Sequence, residues 1–160
     1  MKHVFISYVH EDYEIVKSLS EQLTSKGVNV WLDRNSILPG VRWKDAVREA
    51  IQEGNFFLAC FSQAYYSRDK TYLNEELTLA IEGLRQFSSH HAWFIPVLLS
   101  DCKIPNIDIG AGKTLNDIQA VFLYKNWDDG IQRILDAIQS AAPEEILWQR
   151  ILAEHYRRPS

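Results

Sequence analysis

Cysteine is scarce: the 160 residues hold only Cys60 and Cys102. Two cysteines are too few for a disulfide framework, and neither has a spaced partner of the kind a zinc site needs, so no metal is expected. Long apolar runs are also missing. No stretch approaches the roughly 18 consecutive apolar residues of a membrane span, and the opening MKHVFISYVHED meets acidic residues before a signal-peptide core can form. There is no surplus of positive charge either, since 17 Lys+Arg stand against 21 Asp+Glu. A net charge of −4 argues against a phosphate-backbone binder. What is present is ordinary globular composition, 46% hydrophobic and 24% charged, which excludes a largely disordered chain. The expectation is a soluble, cytoplasmic protein with one main domain, free of nucleic acid and membrane.

Apolar runs of strand length alternate with segments of helical period. His3 to Tyr8 reads as a first strand. Glu11 to Lys26 reads as a helix with Ile15, Val16, Leu19 and Leu23 at helical spacing, closed by Gly27 at a C-terminal cap. Asn29 to Asp33 is a second strand, followed by a turn at Pro39-Gly40 and a helix from Trp43 to Gln52. Phe56 to Ser62 is a strand, Tyr72 to Gln86 a helix, and Trp93 to Leu99 a strand interrupted by Pro96. That proline implies a bulge, or a strand end nearby, because it has no amide to donate. Ala120 to Tyr124 is the fifth strand and Trp127 to Ala141 the next helix. Apolar strands separated by helices imply an α/β fold, a five-stranded parallel sheet with helices on both faces. The connection Asp101 to Gln119 shows no periodic element of its own. After Pro143, Glu144 to His155 predicts an extra C-terminal helix with Leu147, Trp148, Ile151 and Leu152 on one side. The division is therefore a domain over 1–142 and a helix and tail over 143–160, which either packs on the domain or serves as a linker to a further domain.

Several motifs fail on context. The first strand-to-helix turn, SYVHED, has no glycine for a pyrophosphate. Gly110-Ala111-Gly112-Lys113-Thr114 imitates the tail of a phosphate-binding loop, but Ile107 stands where its first glycine belongs, in a polar connection. It reads as a flexible surface loop. His90-His91 falls in a turn without acidic partners at ligand spacing. Cys60 reads as a small core residue and Cys102 as an exposed thiol.

The helix after the third strand carries the candidate chemistry. At about 100° per residue, Leu73, Leu77, Ala80, Ile81 and Leu84 form the core face, and Glu75 and Glu82 lie opposite, in solvent. Glu76 sits roughly 85° from the core centre, in a second stripe with Tyr72, Leu79 and Gly83. That stripe has three fates: lining a cleft, burying against another subunit, or packing under the long connection.

FISYVHED, GVNVWLD, ILPGVRW, FFLACFS with SQAYYSRD, and YLNEEL follow one another in an order that resembles a Toll/interleukin-1 receptor (TIR) domain. The resemblance spans about residues 3 to 141, and IPVLL and NWDDGIQRIL extend it toward the bacterial type. It implies a flavodoxin-like fold. In enzymatic members of that family the fold cleaves the nicotinamide–ribose bond of NAD+, as a nucleosidase that in some cases cyclises ADP-ribose. The resemblance assigns the catalytic carboxylate to Glu76, one turn after the aromatic Tyr72, where tryptophan is commoner. It places Phe5, Ser7, Tyr8 and Asp33 with Tyr72 at the substrate, although Asp33 reads equally as a turn or capping residue, and Ile37, Leu38, Pro39 and Gly40 in a loop that covers the ligand or contacts a neighbouring subunit. It also implies NAD+ as substrate with no cofactor, other TIR subunits as partners in an oligomer or filament, a sensor domain or separate sensor, and a role in bacterial anti-phage defence. The alternative it leaves is a non-catalytic signalling module, an adaptor or virulence factor acting through TIR–TIR contacts. Trp43 reads as the core anchor of its helix.

One carboxylate is chemically sufficient for that reaction. Ordinary glycosides need an acid to protonate a poor leaving group and a second carboxylate as nucleophile or base. Nicotinamide in NAD+ is already cationic and leaves as a neutral base, so the remaining task is to stabilise charge developing on the ribose.

Overall fold

A computed structural model describes residues 3–32, 55–67, 71–86 and 93–139, together with 40, 42, 44 and 45; of 71–76 and 86 it describes the backbone. Five strands form one parallel sheet: β1 (His3–Ser7), β2 (Asn29–Trp31), β3 (Phe56–Phe61), β4 (Phe94–Leu98) and β7 (Val121–Phe122). Their order is β2-β1-β3-β4-β7. A second, antiparallel sheet pairs β5 (Asp108–Gly110) with β6 (Lys113–Thr114). The helices are α1 (Tyr13–Ser25), α2 (Gln63–Ser67), α3 (Thr71–Gln86) and a helical stretch over 127–139, here α4. Lys44 and Asp45 are helical, within the predicted 43–52 helix whose remainder, Trp43 included, lies outside the described residues. The predicted helix 144–155 lies outside them too.

Strand alternation sorts the core into two layers. Phe5, Phe57, Ala59, Phe61 and Phe94 point to one face and pack with Leu77, Ala80, Ile81 and Leu84 of α3. Val4, Ile6, Phe56, Leu58, Cys60, Ile95 and Val97 point to the other, against Val16, Leu19 and Leu23 of α1 and Ile131, Ile134 and Leu135 of α4. β3 is buried along its whole length, which is why its sequence carries no polar residue. On the α3 face the rings of Phe5, Phe57 and Phe94 stack at centroid separations of 5.4 and 5.7 Å across three adjacent strands. Each such fully buried side chain is worth about 1.5–3 kcal/mol.

α1 stops as its sequence requires. Val28 N donates to Leu23 O at 3.1 Å and Gly27 N to Thr24 O at 3.0 Å, with Gly27 at φ +86°. This pair of bonds needs a left-handed residue between them, and glycine adopts it without strain. Ile15 departs from the predicted core spacing: it is 42% exposed, because the buried stripe runs through Val16, Leu19 and Leu23.

Two expectations need correction. Pro96 marks neither a bulge nor a strand end but sits in the middle of β4, paired with Ala59. Phe57 N donates to Trp93 O and Leu99 N to Phe61 O, so odd-numbered residues of β4 face β3. Pro96 therefore turns its nitrogen toward β7, which pairs only from Val97 onward. Its missing amide falls on an edge. The connection 101–119, in turn, is structured. Ala111 (φ +56°) and Gly112 (φ +74°) form the two-residue turn between β5 and β6, a type I′ geometry, so the glycine-rich run is a hairpin turn and not a loose loop. Thr114 and Asp117 then cap a 3-10 turn, Leu115–Asp117, in a capping box.

That hairpin settles part of the second stripe on α3. Leu79 is buried in the layer that holds Ile109 and Leu115, Gly83 is buried, and Arg85 Nη2 donates to Asp108 O at 2.8 Å. Of the three fates, the C-terminal half of the stripe takes the third and packs under the long connection.

Candidate functional site

An open parallel sheet places its ligands at the carboxyl ends of its strands, where the order of strands reverses. Here that point lies between β1 and β3, which pair as Ile6↔Leu58 and Ser7↔Ala59. β3 ends at Phe61, α2 follows after Ser62, and three residues separate α2 from α3, which leads on toward β4. The first turns of α3, with Tyr72 and Glu76, therefore sit at the carboxyl edge, on the face of Phe5 and Phe57. Their side chains lie outside the described residues.

The end of β1 divides between the two faces. Phe5 is buried in the α3-side layer. Ser7 follows it on that side by strand alternation and is fully buried, and its Oγ has no hydrogen-bond partner among the described residues. Such a hydroxyl costs about 1–3 kcal/mol unless something supplies a partner. Tyr8 turns the other way, half-buried beside the α1-side layer, with its ring 6.5 Å from that of Tyr13. The structure thus brings Phe5 and Ser7 together with the start of α3 and sends Tyr8 elsewhere. Asp33, Ile37, Leu38 and Pro39 lie outside the described residues, as do His90 and His91; Gly40 occupies a turn at φ +86°.

Sequence reasoning missed Asp12 and Ser62. Both are buried, and Ser62 Oγ donates to Asp12 Oδ2 at 2.5 Å. The same Oγ accepts from Tyr65 N at 3.3 Å, capping α2. Asp12 stands at the N-cap of α1, where a sequence reader expects a local cap, but its carboxylate makes no cap bond. Burial raises its pKa above the ordinary carboxylate value; the Ser62 bond opposes that rise and nearby Glu11 adds to it. On the other side of α2, Gln63 N donates to Ser100 Oγ at 2.9 Å, and the Tyr66 hydroxyl to Lys103 O. Burial, with Cys102 and Tyr65 nearby, pushes the Tyr66 phenol up to about 12. Burial and Asp12 also keep the Cys60 thiol protonated, in line with a core role. Cys102, expected to be exposed, is half-buried with a raised pKa of its own. Among the described residues no group of three His, Cys, Asp or Glu is placed to hold a metal ion, and no helix is long and apolar enough to cross a membrane.

Comparison with known proteins places this geometry in a family. The TIR domain family model matches residues 4–135. The TIR domain of the Toll-related receptor TRR-2 from Hydra magnipapillata is 22% identical with a TM-score of 0.58, covering 82% of this chain and 93% of that one. A prokaryotic SEFIR domain is 21% identical with a TM-score of 0.57, covering 86% and 99%. At that identity the two show a shared fold. Among curated proteins, the uncharacterised y4cD of Sinorhizobium fredii is 23% identical over 130 residues, 80% of this chain and 19% of that protein. The NAD(+) hydrolase TcpA of a Theionarchaea archaeon is 28% identical over 67 residues, 41% of this chain and 20% of that protein. The chain spans about a fifth of the length of these two relatives.

Proposed function

This chain belongs to the TIR domain family, and from that premise we propose that it cleaves the nicotinamide–ribose bond of NAD+, with Glu76 as the catalytic carboxylate. The observation that carries this reading is the start of α3 at the carboxyl edge of the sheet, on the face where the buried Ser7 hydroxyl has no partner among the described residues. The similarity to an archaeal NAD(+) hydrolase supports it.

In this mechanism the C1′–N bond breaks and its electron pair leaves with nicotinamide. The Glu76 carboxylate stabilises the cationic ribose and holds its hydroxyls, and Ser7 hydrogen-bonds the nucleotide. Water attacks C1′ and loses its proton to the carboxylate, giving ADP-ribose. A drier site lets a nucleophile within the nucleotide close on C1′ instead, giving a cyclic product.

Phe5 and Ser7 are closed off in the single chain, so the substrate reaches them only after a rearrangement. Assembly with other TIR subunits through the loop 37–40 supplies it, with a sensor as trigger and bacterial anti-phage defence in the cytoplasm as the setting. The same closure favours a second reading, a signalling module that recruits like domains and cleaves nothing. One experiment separates them. NAD+ is incubated with wild type and Glu76→Ala, free and clustered on a surface, and nicotinamide is followed by chromatography. Release by clustered wild type alone is expected. Silence from both proteins, clustered or free, would leave the signalling module. Gly40→Asp, which forces an L side chain into a left-handed conformation, should lower assembly by light scattering before it lowers nucleotide binding.

A further inference from the structure

Asp12 spends a buried carboxylate where none is required. α2 would be capped by Ser62 alone, since its Oγ accepts from Tyr65 N whatever its proton does. A neutral N-cap on α1 would likewise avoid the cost of desolvating a charge. What the Asp12–Ser62 bond adds is a tie across the strand-reversal point, joining the loop after β1 to the β3–α2 turn, 50 positions along the chain. It fixes the direction of the Ser62 hydroxyl proton. On the opposite flank, Gln63 N to Ser100 Oγ, Gln63 Nε2 to Asp101 O (3.3 Å) and Tyr66 to Lys103 O hold α2 to the loop after β4. This five-residue helix is gripped from both neighbouring loops, and only three residues separate its end from the start of α3.

We infer that the Asp12–Ser62 hydrogen bond is a positioning element for the start of α3, and through it for Glu76, setting where the carboxylate stands relative to the ribose. The inference rests on the NAD+-cleaving reading. Neither residue touches substrate. Catalytic groups must be placed within a fraction of an ångström, and a displacement of about 1 Å costs on the order of 100-fold in rate. The far end of α3 has a separate anchor, Arg85 on Asp108 O, which serves as the control.

The test uses the full chain, clustered, with kcat and KM for NAD+ and amide hydrogen exchange at residues 71–76. Ser62→Ala and Asp12→Ala should each lower kcat by about 10- to 100-fold with KM within about threefold, and the double variant should lose little more than either single one. Exchange at 71–76 should accelerate in all three. Asp12→Asn should stay within about threefold of wild type, because its amide oxygen accepts the same proton, and Ser62→Thr should restore the rate by keeping the hydroxyl. Arg85→Ala should lower stability yet leave kcat unchanged. A kcat loss in Asp12→Asn equal to that in Asp12→Ala, or one in Arg85→Ala as large as that in Ser62→Ala, would overturn the inference. Wild type that releases no nicotinamide when clustered would sink the NAD+ reading instead. Exchange would then judge the tie alone: unchanged rates at 71–76 in Ser62→Ala reject it, and faster ones keep it.

Discussion

The two edges of the central sheet treat their polar side chains differently. At the amino edge, His3 N donates to Asn55 Oδ1 and the Asn29 amide meets His3 Nδ1, both at 2.7 Å, while the His3 ring lies 4.9 Å from Trp31. These groups satisfy one another across β1, β2 and the start of β3. At the carboxyl edge of the same strands, Ser7 keeps a buried hydroxyl without a partner among the described residues, and Asp12 a desolvated carboxylate bonded to Ser62. One edge spends polarity on stability, and the other retains it at a cost of about 1–3 kcal/mol for the hydroxyl. Such a cost persists when the group has another use, and in a parallel sheet the carboxyl edge is where ligands bind.

The sharpest test of this division is Glu76→Ala, which should reduce nicotinamide release by on the order of 100- to 1000-fold with an unchanged circular dichroism spectrum. Glu75→Ala, one position away, should keep most of the activity; equal losses would contradict the placement of Glu76 in its own stripe. Asn55→Ala at the amino edge should do the opposite. It leaves the His3 amide unpaired and should cost about 1–3 kcal/mol in urea denaturation, with kcat unaltered. A kcat change there would erase the distinction between the edges. Ser7→Ala is smaller and of mixed sign. Removing an unpartnered buried hydroxyl should raise stability by up to ~1 kcal/mol while lowering NAD+ turnover by about tenfold. A loss of stability would mean the hydroxyl already has a partner.

Much of the fold was legible because local signals agreed with one another. β1, β3 and the apolar face of α3 follow from periodicity, and Gly27 from its place after the last buried leucine. The hairpin at 108–114 was hidden by its length: strands of three and two residues carry too little alternation to register. Yet Thr114 and Asp117 stood at capping-box spacing, a signal available in the sequence. Pro96 misled because the sequence does not show which neighbour its nitrogen faces. For the proposed site, Ser7 and Glu76 come from the family resemblance, which also groups Tyr8 with them, whereas strand alternation puts Tyr8 on the opposite face from Ser7. Asp12 and Ser62 had no signal at all. Each reads as an ordinary cap residue, and only the folded sheet brings them together.

The smallest effect concerns Asp12 and stability against pH. Burial raises its pKa in the fold above the unfolded value near 3.8, against the opposing pull of the Ser62 bond. In the window between those two values the native state binds more protons than the unfolded chain. The stability Asp12 contributes is then fully present below the unfolded value and is lost as pH rises through the folded one. Above the folded value the carboxylate is ionised in both states and the whole desolvation penalty remains. Asp12→Asn removes the titration and keeps an acceptor for Ser62. Above that folded value the variant should therefore be more stable than wild type, with the gap closing as pH falls through it toward the unfolded value near 3.8. Paired urea titrations across that range give the answer directly. A gap that widens on acidification would mean the Ser62 bond outweighs burial, and that Asp12 stabilises the carboxyl edge as a charge rather than straining it.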